Sequence, residues 1–218
     1  MGESLNKAFI FDFDGTLVNS ENHIRKTFLK ITQQIAPERL SFAKNIVIGP
    51  PLAEAAIEIL GGNEPKLLNK FIDNFIKVHD ENILIYTTAY ADSDSMLKEF
   101  SKIGHKMAIA TNKRSVPTLK IIKHFGWNDF FEFIECSDSE LKITNKTDMI
   151  KKITKKDNDF KEAFFVGDTI NDALAAKSCN LKFIKAIYGY GTEQNWKNIS
   201  IHRSVESIGQ LAKYYIKD

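Results

Sequence analysis

Four stretches of this chain are apolar on successive residues: AFIFDF at 8–13, KMAIAT at 106–111, EAFFVGD at 162–168 and KFIKAI at 182–187. Side chains along a strand point alternately to its two faces, so a strand with one wet face alternates apolar and polar residues. Runs without that alternation demand cover on both faces, the condition of a parallel sheet. FFEFIEC at 130–136 is expected to be a further strand of this kind. Helix patterns lie between these runs. DSMLKEFSKIG offers Ser93 or Ser95 as N-cap and Gly104 as its stop; SVPTLKIIKHFG offers Ser115 as N-cap, Pro117 in its first turn and Gly126 at its end. NKTDMIKKI and INDALAAKSC follow. Strand and helix in alternation predict a three-layer, doubly wound, Rossmann-like α/β core around a parallel sheet.

Residues 20–86 break the alternation. Ile24, Phe28, Ile31 and Ile35 recur at spacings of 4, 3 and 4, which marks an amphipathic helix. PLAEAAIEILGG reads as a helix closed by a glycine pair, and Leu68, Phe71, Ile72, Phe75 and Ile76 trace another, with Asn63 as its cap. A structureless loop of this length does not suit an α/β domain. The expected organisation is therefore an α/β core of residues 1–19 and 87–218 with an inserted all-α cap of residues 20–86, hinged near Val18–Ser20 and Tyr86–Tyr90.

Composition excludes several classes. Thirty lysines and arginines against 28 aspartates and glutamates leave a net charge of +2, without the basic excess of a nucleic-acid binder. Cys136 and Cys179 are the two cysteines, too few and too distant for a disulfide framework or zinc site, and they point to a reduced, cytoplasmic setting. The N-terminal sequence shows no signal peptide and fits the myristoylation pattern poorly, with Asn6 where serine or threonine is wanted. No apolar run approaches the roughly 18 residues of a membrane span.

The chemistry gathers where the expected strands end. Asp12 and Asp14 close the first strand, Thr111 and Asn112 the second, and Asp168 the fourth, with Asp172 a helical turn further on. Lys146 opens the helix after the third. Ligands of open parallel sheets bind outside the carboxyl ends of the strands. Several close carboxylates without a counter-ion would cost several kcal/mol in repulsion and desolvation, and a divalent cation removes that cost. Oxygen ligands without histidine or cysteine select a hard ion, Mg²⁺, which commonly shares its shell with a substrate phosphate. Lys146 and the Thr111 hydroxyl suit the remaining phosphate oxygens, so the pattern points to phosphoryl transfer.

DFDGTLV, ATNK, a following lysine and GDTIND stand here in the order and spacing of the haloacid dehalogenase-like superfamily, which the chain resembles over nearly its whole length. The helical insert after the first motif, and GYG at 189–191, are similar to its phosphoglycolate phosphatase-like branch. The resemblance implies a Mg²⁺-dependent phosphatase acting on a small phosphorylated metabolite. It makes Asp12 the nucleophile that forms an aspartyl-phosphate. Asp14 becomes the general acid for the leaving alcohol and then the base for water, its backbone carbonyl touching the metal. Asp168 becomes a metal ligand, and Asp172 an outer ligand or a support for the lysine. Thr111 and Asn112 would hold the phosphate, Lys146 would neutralise nucleophile and phosphate, and Gly15 would let the backbone pass close to the phosphate. Many relatives place the lysine in a Lys-Pro pair, which is missing here. ELKITNKTDMI offers Lys142 and Lys146, and Lys146 is preferred because a helix pattern starts there.

Two other functions fit the same scaffold: a sugar phosphomutase using the same aspartyl-phosphate, and a non-catalytic binding protein, against which the presence of both Asp12 and Asp14 weighs. Outside these motifs plainer roles are expected. DSDS at 92–95 and DNDF at 157–160 read as turns or caps, and His23 as a packing or surface residue of the cap. IGPPLAEA at 48–55 matches a stretch that faces the active site in the resembling branch, and Arg25 is a candidate for meeting an anionic substrate.

Overall fold

Residues 6–138, 144–193 and 195–216 are described by the structure, a computed structural model. Residues 1–5 and Lys142, the alternative lysine, lie outside them. In chain order the elements are β1 (Ala8–Phe11), β2 (Val18–Asn19), α1 (Glu21–Ile35), α2 (Leu40–Asn45), α3 (Leu52–Leu60), α4 (Pro65–Tyr86), β3 (Thr88–Ala89), α5 (Ser93–Lys102) and β4 (Lys106–Thr111). There follow α6 (Ser115–Phe125), β5 (Phe133–Cys136), α7 (Lys146–Lys156), β6 (Phe164–Gly167), α8 (Ile170–Ser178), β7 (Lys182–Ala186), β8 (Arg203–Val205) and α9 (Gln210–Tyr215).

Six strands form one parallel sheet in the order β5-β4-β1-β6-β7-β8. β1 sits between β4 and β6, with Phe11 level with Ile109 on one side and Val166 on the other. Phe9, Ile10 and Phe11 are fully buried, which accounts for the apolar run without alternation. Ala8 and Ile10 join Ala108, Ala110 and Phe165 beneath Met149, Ile150 and Ile153 of α7 and Ala173 and Ala176 of α8. Phe9 packs instead against Phe100 of α5, at 4.7 Å between ring centres, and Tyr215 of α9. Helices therefore cover both faces, giving three layers. Burying each large side chain of β1 contributes about 1.5–3 kcal/mol.

The strand expected at 106–111 has those bounds as β4, and the other expected strands are shorter. β1 stops at Phe11 and β6 at Gly167, so Asp12 and Asp168 stand just past their strands, and β5 starts at Phe133. β8 was not foreseen: three residues with partly exposed Arg203 and Ser204 carry no apolar run. Helix starts differ by one residue from the expected caps. Asp92 precedes α5 and Arg114 precedes α6, neither with a side-chain cap bond. At α4 the cap is Glu64, not Asn63; its carboxylate accepts the Lys66 and Leu67 N–H groups, and Pro65 takes the position whose N–H needs no partner. Asp157 of DNDF caps the short turn that follows it, accepting the Asp159 N–H, while its other oxygen takes the Lys106 ammonium.

The chain divides into two compact units, Met1–Asn19 with Ala89–Asp218, and Ser20–Thr88. The second is built of helices and short connections up to Tyr86. Phe28 of α1 stacks near Phe71 and Phe75 of α4, and Ala55, Ala56 and Ile59 of α3 are buried. His23 is buried here, its ring on that of His79 at 4.8 Å and its Nε2–H donated to the His79 carbonyl. Arg25 is tied to Glu21 and to the Ile46 carbonyl. No helix among the described residues is long and apolar enough to cross a membrane.

Candidate active site

β4, β1 and β6 are neighbours, so their carboxyl ends bring Thr111, Asp12 and Asp168 to one edge. The Asp12 N–H continues the β1–β6 ladder by donating to the Val166 carbonyl at 2.8 Å, which fixes the carboxylate over the strand end. Lys146 arrives from α7. Asn145 caps that helix by accepting the Asp148 N–H, leaving Lys146 as its first residue. Its buried ammonium lies 2.9 Å from Asp12 Oδ1 and donates to Asp172 Oδ1 at 2.5 Å.

Asp172 belongs to the first turn of α8. Its Oδ2 accepts the N–H groups of Asp168 and Thr169 and the Thr169 hydroxyl, and Thr169 Oγ1 accepts the Asp172 N–H in return. This reciprocal cap holds the carboxylate rigidly with its other oxygen towards the lysine. Asp168 is 1% exposed; its Oδ2 accepts the Tyr190 N–H at 2.6 Å, and its Oδ1 has no partner among the described residues. Oxygens of Asp12, Asp168 and Asp172 all lie within 4.8 Å of one another, so like charges there repel by about 3 kcal/mol per pair at an effective dielectric of 20.

Burial is the main electrostatic fact. It pushes the Asp12 carboxyl up to about 7, with Lys146 opposing the rise and Asp172 adding to it. Burial raises Asp168 well above the usual carboxylate range, helped by Asp172 and Asp12. Burial also works against the Lys146 ammonium, yet Asp12 and Asp172 outweigh it and hold its pKa above the ordinary lysine value. The region gathers carboxylates faster than it neutralises them: Asp12, Asp14, Asp168 and Asp172 face the ammonium groups of Lys146 and Lys113.

Asp14 stands apart from the three-carboxylate cluster. Its carboxylate takes Lys113 Nζ at 3.0 and 3.2 Å. Thr111 is buried, and its Oγ1 accepts the Lys113 N–H. Asn112, half-buried, follows it in the same turn. Gly15 has φ +82°, and a Cβ there would come within 2.3 Å of Asp168 Oδ2. Gly189 closes the other side, where a Cβ would come within 2.3 Å of Asp168 Cβ and 2.4 Å of the Gly15 carbonyl. Both glycines are thus required by the close packing around Asp168.

Lys113, Thr169 and the Tyr190 N–H had no assigned part in the sequence reading, although Lys113 lies inside ATNK and Tyr190 inside GYG. Cys136 is no rival nucleophile, since burial pushes its thiol up to about 12.

The chain is similar along most of its length to several known proteins. A phosphoglycolate phosphatase from Psychrobacter arcticus is 28% identical over 97% of this chain and 96% of its own length. The pyrophosphatase PpaX of Halalkalibacterium halodurans is 27% identical over 83% of this chain and 82% of its own. A haloacid dehalogenase-like hydrolase from Streptococcus pneumoniae shares the fold with a TM-score of 0.79 over 97% of this chain and 99% of that one, at 18% identity. The family model for haloacid dehalogenase-like hydrolases matches residues 9–186. The chain belongs to the haloacid dehalogenase-like hydrolase family.

Proposed function

We propose that the protein is a Mg²⁺-dependent phosphatase that hydrolyses a small phosphomonoester of the phosphoglycolate type through an aspartyl-phosphate on Asp12. One observation carries this reading: in a buried cluster of three carboxylates Lys146 meets Asp12 and Asp172, while Asp168 Oδ1 has no partner among the described residues. An all-oxygen set with an excess of negative charge and an orphaned acceptor fits a hard divalent cation. Asp12, Asp168 and the Asp14 carbonyl would hold it. When bound, the cation supplies charge neutralisation for the phosphoryl group.

The residues of the chain do the rest. An Asp12 oxygen attacks phosphorus, the bond to the leaving oxygen breaks, and Asp14 gives that oxygen its proton. Water then attacks the same phosphorus, the Asp12–phosphate bond breaks, and Asp14 takes the water's proton. Lys146 stays between Asp12 and Asp172 and faces the charge on the phosphoryl oxygens. Thr111 Oγ1 accepts the Lys113 N–H and so keeps its own hydrogen for a phosphate oxygen; Asn112, next in the chain, would help to hold the phosphate. Residues 20–86 would serve as the cap that chooses the substrate. The two free cysteines fit a reducing compartment, the cytoplasm.

Phosphate release should be measured with Mg²⁺ over a panel of phosphorylated metabolites that includes phosphoglycolate and pyrophosphate. Release that EDTA abolishes is expected, and Asp12→Asn should lower it by at least roughly 10³-fold. Undiminished turnover by Asp12→Asn overturns the mechanism. Transfer of phosphate between sugar positions without net release would favour the mutase, and no turnover of any substrate the binding protein.

A further inference from the structure

Lys113 is a charged side chain at the site that none of these steps uses. Its backbone is held on both sides: its N–H goes to Thr111 Oγ1 at 3.1 Å, and its carbonyl accepts the Ser137 N–H at 3.2 Å. Its side chain is 5% exposed and crosses from the end of β4 to the turn after β1, where Nζ meets Asp14 Oδ2 at 3.0 Å and Oδ1 at 3.2 Å. A solvent-exposed pair of this type would contribute little. A buried lysine anchored at both ends of its peptide, touching both oxygens of one carboxylate, instead restricts how that carboxylate can turn. The turn bearing Asp14 is also fixed, by the Asp14–Val18 bridge and by the Gly15 N–H on the Val18 carbonyl at 2.8 Å.

We propose that Lys113 is a positioning residue that holds the side chain of Asp14 in the orientation that accepts a proton from the hydrolytic water. This rests on the reading of Asp14 given above. The step it serves is the second half of the reaction. The water oxygen bonds to phosphorus, the bond from Asp12 oxygen to phosphorus breaks with its electron pair returning to the Asp12 carboxylate, and the water proton passes to Asp14. A carboxylate loose about its last torsion would present its lone pairs to the water only part of the time.

The test uses 4-nitrophenyl phosphate, whose leaving group departs without a proton, so that the first half-reaction does not depend on Asp14. Lys113→Met should lower kcat by about 10–100-fold and KM with it, leaving kcat/KM within about 3-fold of the parent. Rapid mixing should then show a burst of nitrophenolate near one per site, and acid quench should trap the phosphorylated Asp12 peptide. Lys113→Arg should restore most of kcat and remove the burst. Lys113→Gln is measured beside Lys113→Met, so that one poorly folding variant does not decide the outcome. A parallel fall in kcat and kcat/KM without a burst overturns the proposal, as does failure of Lys113→Arg to rescue. Asp14→Asn separates the two readings. If it bursts and the Lys113 variants do not, the role of Lys113 alone is wrong; if it does not burst, the role of Asp14 is wrong and that of Lys113 falls with it.

Discussion

The two ends of the central strands treat charge in opposite ways. At the amino ends, Lys106 lies 2.5 Å from Asp157 and 2.8 Å from Asp159, and the His105 ring accepts the Lys7 N–H and donates to the Tyr215 carbonyl. Phe9, Phe100, Phe164 and Tyr215 fill the space between. At the carboxyl ends, only a few residues along the same strands, four carboxylates meet two lysines, and one oxygen of Asp168 is left over. The sheet supplies equal support to both ends, so the difference lies in the side chains. The carboxylates around Lys106, Glu132 among them, stand partly open to water, which screens them, whereas those at the carboxyl ends are largely buried and keep a deficit that a bound cation would fill. Such a site costs stability and is retained for function.

Three substitutions sharpen this contrast. The largest effect on folding is expected from Lys146→Met, which leaves Asp12 and Asp172 buried without their shared ammonium. Urea unfolding should show a loss of about 3–5 kcal/mol, the usual consequence of removing one member of a buried ionic set. A loss below about 1 kcal/mol would mean that water enters the site and screens the carboxylates. Gly15→Ala comes next. Its methyl group would collide with Asp168 Oδ2 in a left-handed backbone conformation, and about 1–3 kcal/mol should be lost, together with catalytic activity.

The smallest effect belongs to the amino end. Burial holds the His105 pKa below its ordinary value, partly offset by the bond to the Tyr215 carbonyl. The unfolded chain therefore binds a proton that the folded chain resists. The contribution of His105 is complete above about pH 6.5 and is lost as the pH falls below that value. His105→Gln should flatten part of the decline in Tm between pH 7 and pH 5 while leaving phosphate release unchanged. An unchanged pH profile would show that the ring is not held neutral.

Much of this was legible in the sequence, and the reasons are local. Strands buried on both faces announce themselves by unbroken apolar runs, and Asp12, Asp168 and Lys146 stand where such runs or a helix pattern change. What escaped depends on distant partners. Lys113 and Asp14 are 99 residues apart, so nothing near ATNK shows that its lysine belongs to the first motif. The Tyr190 N–H that binds Asp168 is a backbone donor, common to every residue but proline, and only the flanking glycines hint at it. Gly15 was legible as a glycine with a purpose, yet its nearest demand comes from Asp168, 153 positions later by residue number, in addition to any phosphate. β8 escaped because a three-residue edge strand needs neither apolar face to be continuous.

A divalent cation is proposed to complete the carboxylate deficit. Thermal unfolding of the parent and of Asp168→Asn, each with EDTA and with Mg²⁺, tests it most directly. Asparagine keeps the shape and the acceptor for the Tyr190 N–H, and it replaces the orphaned oxygen with an uncharged donor. With EDTA the variant should melt at or above the Tm of the parent; Mg²⁺ should raise the Tm of the parent and leave that of the variant nearly unchanged. A parent indifferent to Mg²⁺, with a variant less stable than it in EDTA, would contradict the account.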